Sequence, residues 1–195
     1  MLKKILILPV GFLVTTFLYI SCCKCIDSKD HFYEVKNASV SPVGSGGAII
    51  DNGIPVTADT AFLNYYLGIN CVAKVKTDFS FLVNGAYACK CAECGSQGLK
   101  SKLASIVITS DNVFNAVPAN TSLNTFFKVK ADNVNADFPL DSLSANINRE
   151  NGIKVYFSIF TKTKPGNTAG HKFTLNMVYA NNTTVTVTTK AIAWQ

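Results

Sequence analysis

The residue types best suited to chemistry in this sequence are its seven cysteines, and their spacing divides them into three groups. Cys22, Cys23 and Cys25 follow a long apolar run, Cys71 stands alone, and Cys89, Cys91 and Cys94 lie close together. Thiols so spaced can pair as disulfides, bind a metal as thiolates, or cycle between dithiol and disulfide. A thiolate site would use Cys89, Cys91 and Cys94 with Cys71 as fourth ligand for zinc or an iron–sulfur cluster, but the spacing is C-x-C-x-x-C rather than paired C-x-x-C units. Cys91-Ala92-Glu93-Cys94 has the formal spacing of a redox dithiol, yet no evident strand and helix flank it. In an exported chain, disulfides are the stronger expectation. With Cys22 set aside, the candidates are Cys23, Cys25, Cys71, Cys89, Cys91 and Cys94, an even number. Cys89 and Cys91 share a face of an extended strand and Cys94 lies past a turn, so at least one of the three should reach Cys71 or the amino-terminal pair.

Export is read from the first residues. Lys3 and Lys4 precede an uncharged, mostly apolar run from Ile5 to Ile20, the layout of a signal peptide. The run is about 16 residues, short of the roughly 20 needed to span the hydrocarbon core. It ends in Tyr19-Ile20-Ser21-Cys22, apolar and small residues before a Cys. In lipoprotein signals that thiol takes diacylglycerol before the preceding peptide bond is cut, which makes Cys22 the expected lipidation site. The expected organisation is a signal peptide at 1–21, a lipidated tether at 22–31, and one domain at 32–195. Several acyl chains would then hold the domain at a membrane without spanning it.

Other candidate chemistry is thin. His31 and His171 are the only histidines. Neither lies in H-E-x-x-H, and no serine occupies G-x-S-x-G. His171 follows the turn-rich stretch Thr163 to Gly170 and reads as a surface loop residue. Asp132 and Asp137, with Asn133 and Asn135, make an oxygen-rich loop without the glycine and terminal glutamate of an EF-hand. Gly44-Ser45-Gly46-Gly47 lacks the lysine and hydroxyl of a phosphate loop. No metal and no cofactor are expected. The net charge of +6 is scattered and argues against nucleic acid. The aromatic groups are Tyr65-Tyr66, Phe79 with Phe81, Phe126-Phe127, and Trp194 near the end. Adjacent rings on a strand point to opposite faces, so Tyr65-Tyr66 and Phe126-Phe127 should each put one outside, where it can stack on a sugar or anchor a protein.

The elements that must position these residues are mostly extended. Period-two alternation marks strands near 32–37, 71–76, 79–83, 104–109, 155–161 and 172–179. Ala180-Asn181-Asn182 separates the last of these from the β-branched run Thr183 to Ile192, predicting an antiparallel hairpin that completes a sheet edge. Ala58 to Gly68 fits a short helix or a strand. Leu140, Leu143 and Ile147 predict a turn of helix within 139–148. The fold expected is all-β, a single immunoglobulin-like antiparallel β-sandwich with short helical insertions.

The Tyr19-Ile20-Ser21-Cys22 signal, the stretches Ser105 to Ser110 and Leu123 to Phe127, and the terminal hairpin resemble the small, largely uncharacterised envelope lipoproteins of Bacteroidetes-type bacteria. That resemblance implies an outer-membrane lipoprotein, periplasmic or surface-facing, and brings no active site. It also implies weak O-glycosylation candidates at Thr60, in Asp59-Thr60-Ala61, and Ser142, in Asp141-Ser142-Leu143. The function expected is non-enzymatic binding of an envelope protein or glycan from a membrane anchor. The alternatives are a structural accessory subunit of an envelope complex and, less favoured, a polysaccharide or peptide hydrolase.

Overall fold

Alternation of side-chain type sets most of the elements in the computed structural model, which describes residues 32–50, 56, 59–72, 94–131, 136–149 and 152–195. The strands are β1 (Phe32–Gly44), β2 (Ala61–Val72), β3 (Leu103–Ser110), β4 (Lys128–Lys130), β5 (Phe138–Pro139), β6 (Tyr156–Thr161), β7 (Phe173–Tyr179) and β8 (Thr184–Thr188). They form two antiparallel sheets, ordered β1-β2-β6-β4-β5 and β3-β7-β8. The helix α1 (Leu143–Arg149) and 3-10 turns at Asn124–Phe126 and Leu140–Ser142 complete an all-β fold with a short helical insertion.

The stretch from Ala61 onward is strand rather than helix. Ala61, Leu63, Tyr65 and Leu67 are buried while the residues between them are not, a two-residue period that a helix would scatter around its axis. Phe173, Leu175, Met177 and Tyr179 of β7 and Val185 and Val187 of β8 point the same way from their sheet, and they join the β2 and β6 side chains in one core. On α1, Leu143 and Ile147 are buried at helical spacing, with Leu140 just before them. The closing hairpin forms as expected, but β8 stops at Thr188 instead of running to Ile192. Phe173 is bonded to Thr189 and His171 to Ile192, so three steps on one side face two on the other and the ladder is interrupted. The predicted strands at 71–76 and 79–83 lie outside the described residues beyond Val72.

The sheet edges are treated unequally. Along β3, Asn148 Oδ1 accepts from Leu103 N–H at 2.8 Å, and Asn148 Nδ2 donates to Leu103 O at 2.9 Å. Asn124 repeats the device one turn of pleat further on, accepting from Ile108 N–H at 3.0 Å and donating to Ile106 O at 2.8 Å. Leu123 and Asn120 N–H groups then take Ile108 O and Ser110 O. Two amide side chains thus stand in for a missing strand. β5 is two residues long and offers little edge. β1 is held at its ends: Tyr33 exchanges main-chain bonds with Gly98 and Lys100, while Pro42 and Gly44 bond Ile50 and Ala48.

Asn148→Ala strips β3 of both bonds at Leu103, and an unmet partly buried amide costs about 1–3 kcal/mol. Urea denaturation should show a loss of that size, with Asn148→Asp intermediate because it keeps the acceptor. Unchanged stability in Asn148→Ala would contradict the edge-closing role.

Candidate functional site

The structure corrects the surface-loop reading of His171. The residue is completely buried, at 0% exposure. Its main chain exchanges bonds of 2.8 and 2.9 Å with Ile192. Its ring lies against Phe114, Phe173 and Trp194. Nδ1 is 2.9 Å from Ser110 Oγ and Nε2 is 3.1 Å from Asn167 Oδ1. One protonation state satisfies every partner. Asn112 N–H donates to Ser110 Oγ at 3.2 Å, leaving the serine proton for Nδ1. Asn167 is oriented by Nδ2 donating to Val113 O and Oδ1 accepting from Ala169 N–H, so its oxygen receives the Nε2 proton. The imidazole is therefore neutral, with its proton on Nε2. Burial pushes its pKa below the ordinary 6.5, and the Asp111 charge opposes that shift. A signal for this placement was present in the sequence: His171 continues, two residues back, the buried series Phe173, Leu175, Met177 and Tyr179.

Ser110, His171 and Asn167 stand in the order of a serine nucleophile, its base and the group that orients the base. Ser110 is only 2% exposed, however, and its hydroxyl proton is committed to the ring. The aromatic packing gives a substrate carbonyl no approach, so the cluster serves as a satisfied polar junction inside the core.

Of the predicted cysteines, Cys71 and Cys94 are joined in a disulfide with Cα atoms 5.5 Å apart. One member of the tight group therefore reaches Cys71, and Cys71 is not a thiolate ligand. The bond ties the 94–100 segment to the end of β2, beside the point where Tyr33 bonds Gly98 and Lys100. Cys22, Cys23, Cys25, Cys89 and Cys91 lie outside the described residues, as do His31, Phe79, Phe81, Asp132, Asn133 and Asn135. Asp137 is described and pairs with Lys130 at 3.4 Å. Thr60 is half-buried just ahead of β2, and Ser142 is exposed at the start of α1. Among the described residues, no group of three or more His, Cys, Asp or Glu is placed to hold a metal.

The aromatic pairs divide. Tyr65 is buried and stacks on Phe157, while Tyr66 is 49% exposed, the split expected of a strand. Phe126 and Phe127 do not follow it, because the 3-10 turn ending at Phe126 breaks the alternation. Phe126 packs edge-on to Phe114 and Phe127 to Phe173.

Tyr66 belongs to a larger surface. On the outer face of the five-stranded sheet it lies 5.1 Å from Tyr156, centroid to centroid, across β2 and β6. Four residues along, half-buried Phe62 lies 5.5 Å from Phe160, which is itself buried. At about 3.3 Å per residue the two aromatic rows are roughly 13 Å apart. The row between them is polar, with Ser158 Oγ donating to Asn64 Oδ1 at 2.7 Å. Lysines form the margin: Lys128 and Lys130 pair in register with Phe160 and Ser158, and Lys162 Nζ is 5.8 Å from the Phe160 ring centre.

The buried imidazole sets a pH dependence. Above about pH 6.5 both folded and unfolded chains hold His171 neutral, and its contribution is level. As pH falls below 6.5 the unfolded chain takes the proton first, so stability declines until the folded pKa is passed. Urea denaturation between pH 7.5 and 5 should show the stability advantage of the wild type over His171→Gln shrinking as pH falls; a constant difference would contradict the neutral buried ring. Comparison of the chain with protein-family models, curated proteins and solved structures gives no match, so the functional reading rests on its own residues.

Proposed function

We propose that the chain is a cell-envelope lipoprotein of the outer membrane, anchored through Cys22, that binds an acidic glycan without catalysis. In this reading its two sheets close as an immunoglobulin-like β-sandwich. A core shared by both sheets, and the close approach of β1 to β8, favour that closure.

The observation that carries the binding reading is exposed Tyr66 on the outer face, flanked by the half-buried rings of Tyr156 and Phe62, with Phe160 buried behind Phe62. Aromatic rings offer a flat apolar surface to the C–H face of a sugar. Asn64 presents its amide donor beside them, since its oxygen is taken by Ser158. Lys128, Lys130 and Lys162 give the margin a positive field for carboxylate or sulfate groups, with Asp137 offsetting Lys130 alone. Stacking supplies sequence-tolerant affinity and the lysines supply preference for an acidic chain.

A second reading, the structural accessory subunit, is favoured by β1 and β8, each of which ends its sheet with no further strand paired to it among the described residues. The hydrolase reading gains nothing from Ser110 and His171, which are enclosed.

Isothermal titration of the full chain in detergent with oligogalacturonate and with a neutral cello-oligosaccharide tests the glycan. The acidic oligomer should bind more tightly, with a salt-dependent margin, and Tyr66→Ala should weaken it about fivefold, matching a stacking contact of roughly 1 kcal/mol. Binding of neither, or equal binding by Tyr66→Ala, would overturn the reading. Intact-mass measurement of the mature chain should place its first residue at Cys22 with acyl chains attached; an unmodified Cys22 would remove the anchor.

A further inference from the structure

The disulfide between Cys71 and Cys94 has two unequal ends. Cys71 is exposed, whereas Cys94 is half-buried. Among the described residues, β6 pairs with β2 as far as Tyr66, with one further bond from Leu67 N–H to Val155 O. The last turn of pleat in β2, which carries Cys71, is therefore paired with β1 alone. An exposed sulfur on a thinly covered strand end is open to attack by an external thiolate, which is what separates labile disulfides from inert ones.

The partner segment, residues 94–100, is lightly held apart from this bond. It meets β1 at one parallel bridge, Tyr33 with Leu99, where Tyr33 N–H donates to Gly98 O and Lys100 N–H donates to Tyr33 O, both at 3.0 Å. Gly98 N–H closes a turn on Gly95 O at 2.8 Å. Gly95, at φ +70°, seats against Tyr33 and Ile153 where a side chain would not fit. Lys100 pairs with Glu34 at 3.0 Å, but the two side chains are 43% and 35% exposed, so solvent weakens the contact. Just beyond, the chain is fixed again: Asn181 N–H donates to Ser101 Oγ at 3.1 Å and Ala180 N–H donates to Lys102 O at 2.8 Å, immediately ahead of β3. The segment thus has a firm end at Ser101 and Lys102, and a second end that the disulfide secures. Between them, Leu99 helps wall a cavity of about 240 Å³ whose other lining includes Val35, Tyr179 and Val185.

We propose that the Cys71–Cys94 bond is a redox latch, opened in the folded protein by an external dithiol, which releases residues 94–100 from β1 and uncovers the Leu99 side of the cavity while both sheets persist. One thiolate of the dithiol attacks Sγ of Cys71. The S–S bond breaks, its electron pair leaves on Cys94, and that thiolate takes a proton. The second thiolate of the dithiol then attacks the dithiol's own sulfur in the mixed disulfide, expelling Cys71 as a thiolate that also takes a proton. Two cysteine thiols result, and the dithiol is oxidised to a disulfide. Removing a cross-link over a sequence separation of 23 shifts the balance toward the undocked segment by on the order of 100-fold. One bridge and one exposed ion pair are left to oppose that shift. β1 stays in place because its ladder with β2 runs from Phe32 to Gly44. The latch is separate from the Tyr66 face and does not depend on the glycan reading.

The test equilibrates the full chain in detergent with a series of reduced-to-oxidised dithiothreitol ratios. Free thiols are alkylated and located by mass spectrometry, amide exchange is read over 94–101, β3 and β7, and the fluorescence of Trp194, the single tryptophan, reports the fold. Cys71 and Cys94 should become alkylated at ratios where Trp194 fluorescence and exchange in β3 and β7 match the oxidised protein. Exchange over 94–101 should then be at least about tenfold faster. Glutathione in place of the dithiol should leave its mixed disulfide on Cys71. The double substitution Cys71→Ser with Cys94→Ser should show the fast exchange without reductant; if that variant fails to fold, the titration of the wild type still decides the question. Reduction of this pair only together with loss of the Trp194 signal, unchanged exchange over 94–101 after reduction, or a mixed disulfide on Cys94 would overturn the proposal.

Discussion

Main-chain donors and acceptors at the edge of a sheet must meet protein or water, and the arrangement of this chain follows from how each edge is met. Two small sheets have four edges. The β3 edge lies under the 120–124 segment and α1, and there Leu103 N and O, Ile106 O, Ile108 N and O, and Ser110 O are taken by an asparagine amide or a neighbouring main chain. That requirement explains why a short helix occurs in an otherwise β chain: α1 buries Leu143 and Ile147 and in doing so carries Asn148 to Leu103. The Cys71–Cys94 bond does comparable work for β1, holding the 94–100 segment near Tyr33. Such a bond acts mainly by limiting the unfolded chain, which a segment with few apolar contacts of its own particularly needs.

The carboxy-terminal segment is secured differently. Beyond the ladder interruption after Thr189, Ile192 exchanges main-chain bonds with His171, and Trp194 packs edge-on to His171 and Phe173. Placing an imidazole there carries a desolvation cost, offset because both ring nitrogens have partners and those partners are themselves oriented. Tyr65 Oη and Trp194 Nε1 are the contrast: both are buried, and neither has a hydrogen-bond partner among the described residues. Burial pushes the Tyr65 phenol far up, so it stays neutral. Both side chains keep their positions by ring packing, Tyr65 on Phe157 and Trp194 against Phe173.

What the sequence made legible was whatever depends on a sheet having one buried face. The alternation in β7, the opposed rings of Tyr65 and Tyr66, and the helical spacing of Leu143 and Ile147 all express that single condition, whereas β6, between β2 and β4, is buried on both faces although its residues alternate in type. His171 escaped because its turn-rich approach outweighed a burial pattern it shares with Phe173. The 3-10 turn at Asn124–Phe126 escaped because two adjacent phenylalanines look like strand residues until the chain bends. Asn124 and Asn148 could not be singled out at all. Their role is a pair of bonds to main chain 16 to 45 residues away, and an asparagine in a turn or helix looks the same with or without them. The Tyr66 face was half legible: the outward ring could be read locally, but its neighbour Tyr156 arrives only through the pairing of β2 with β6.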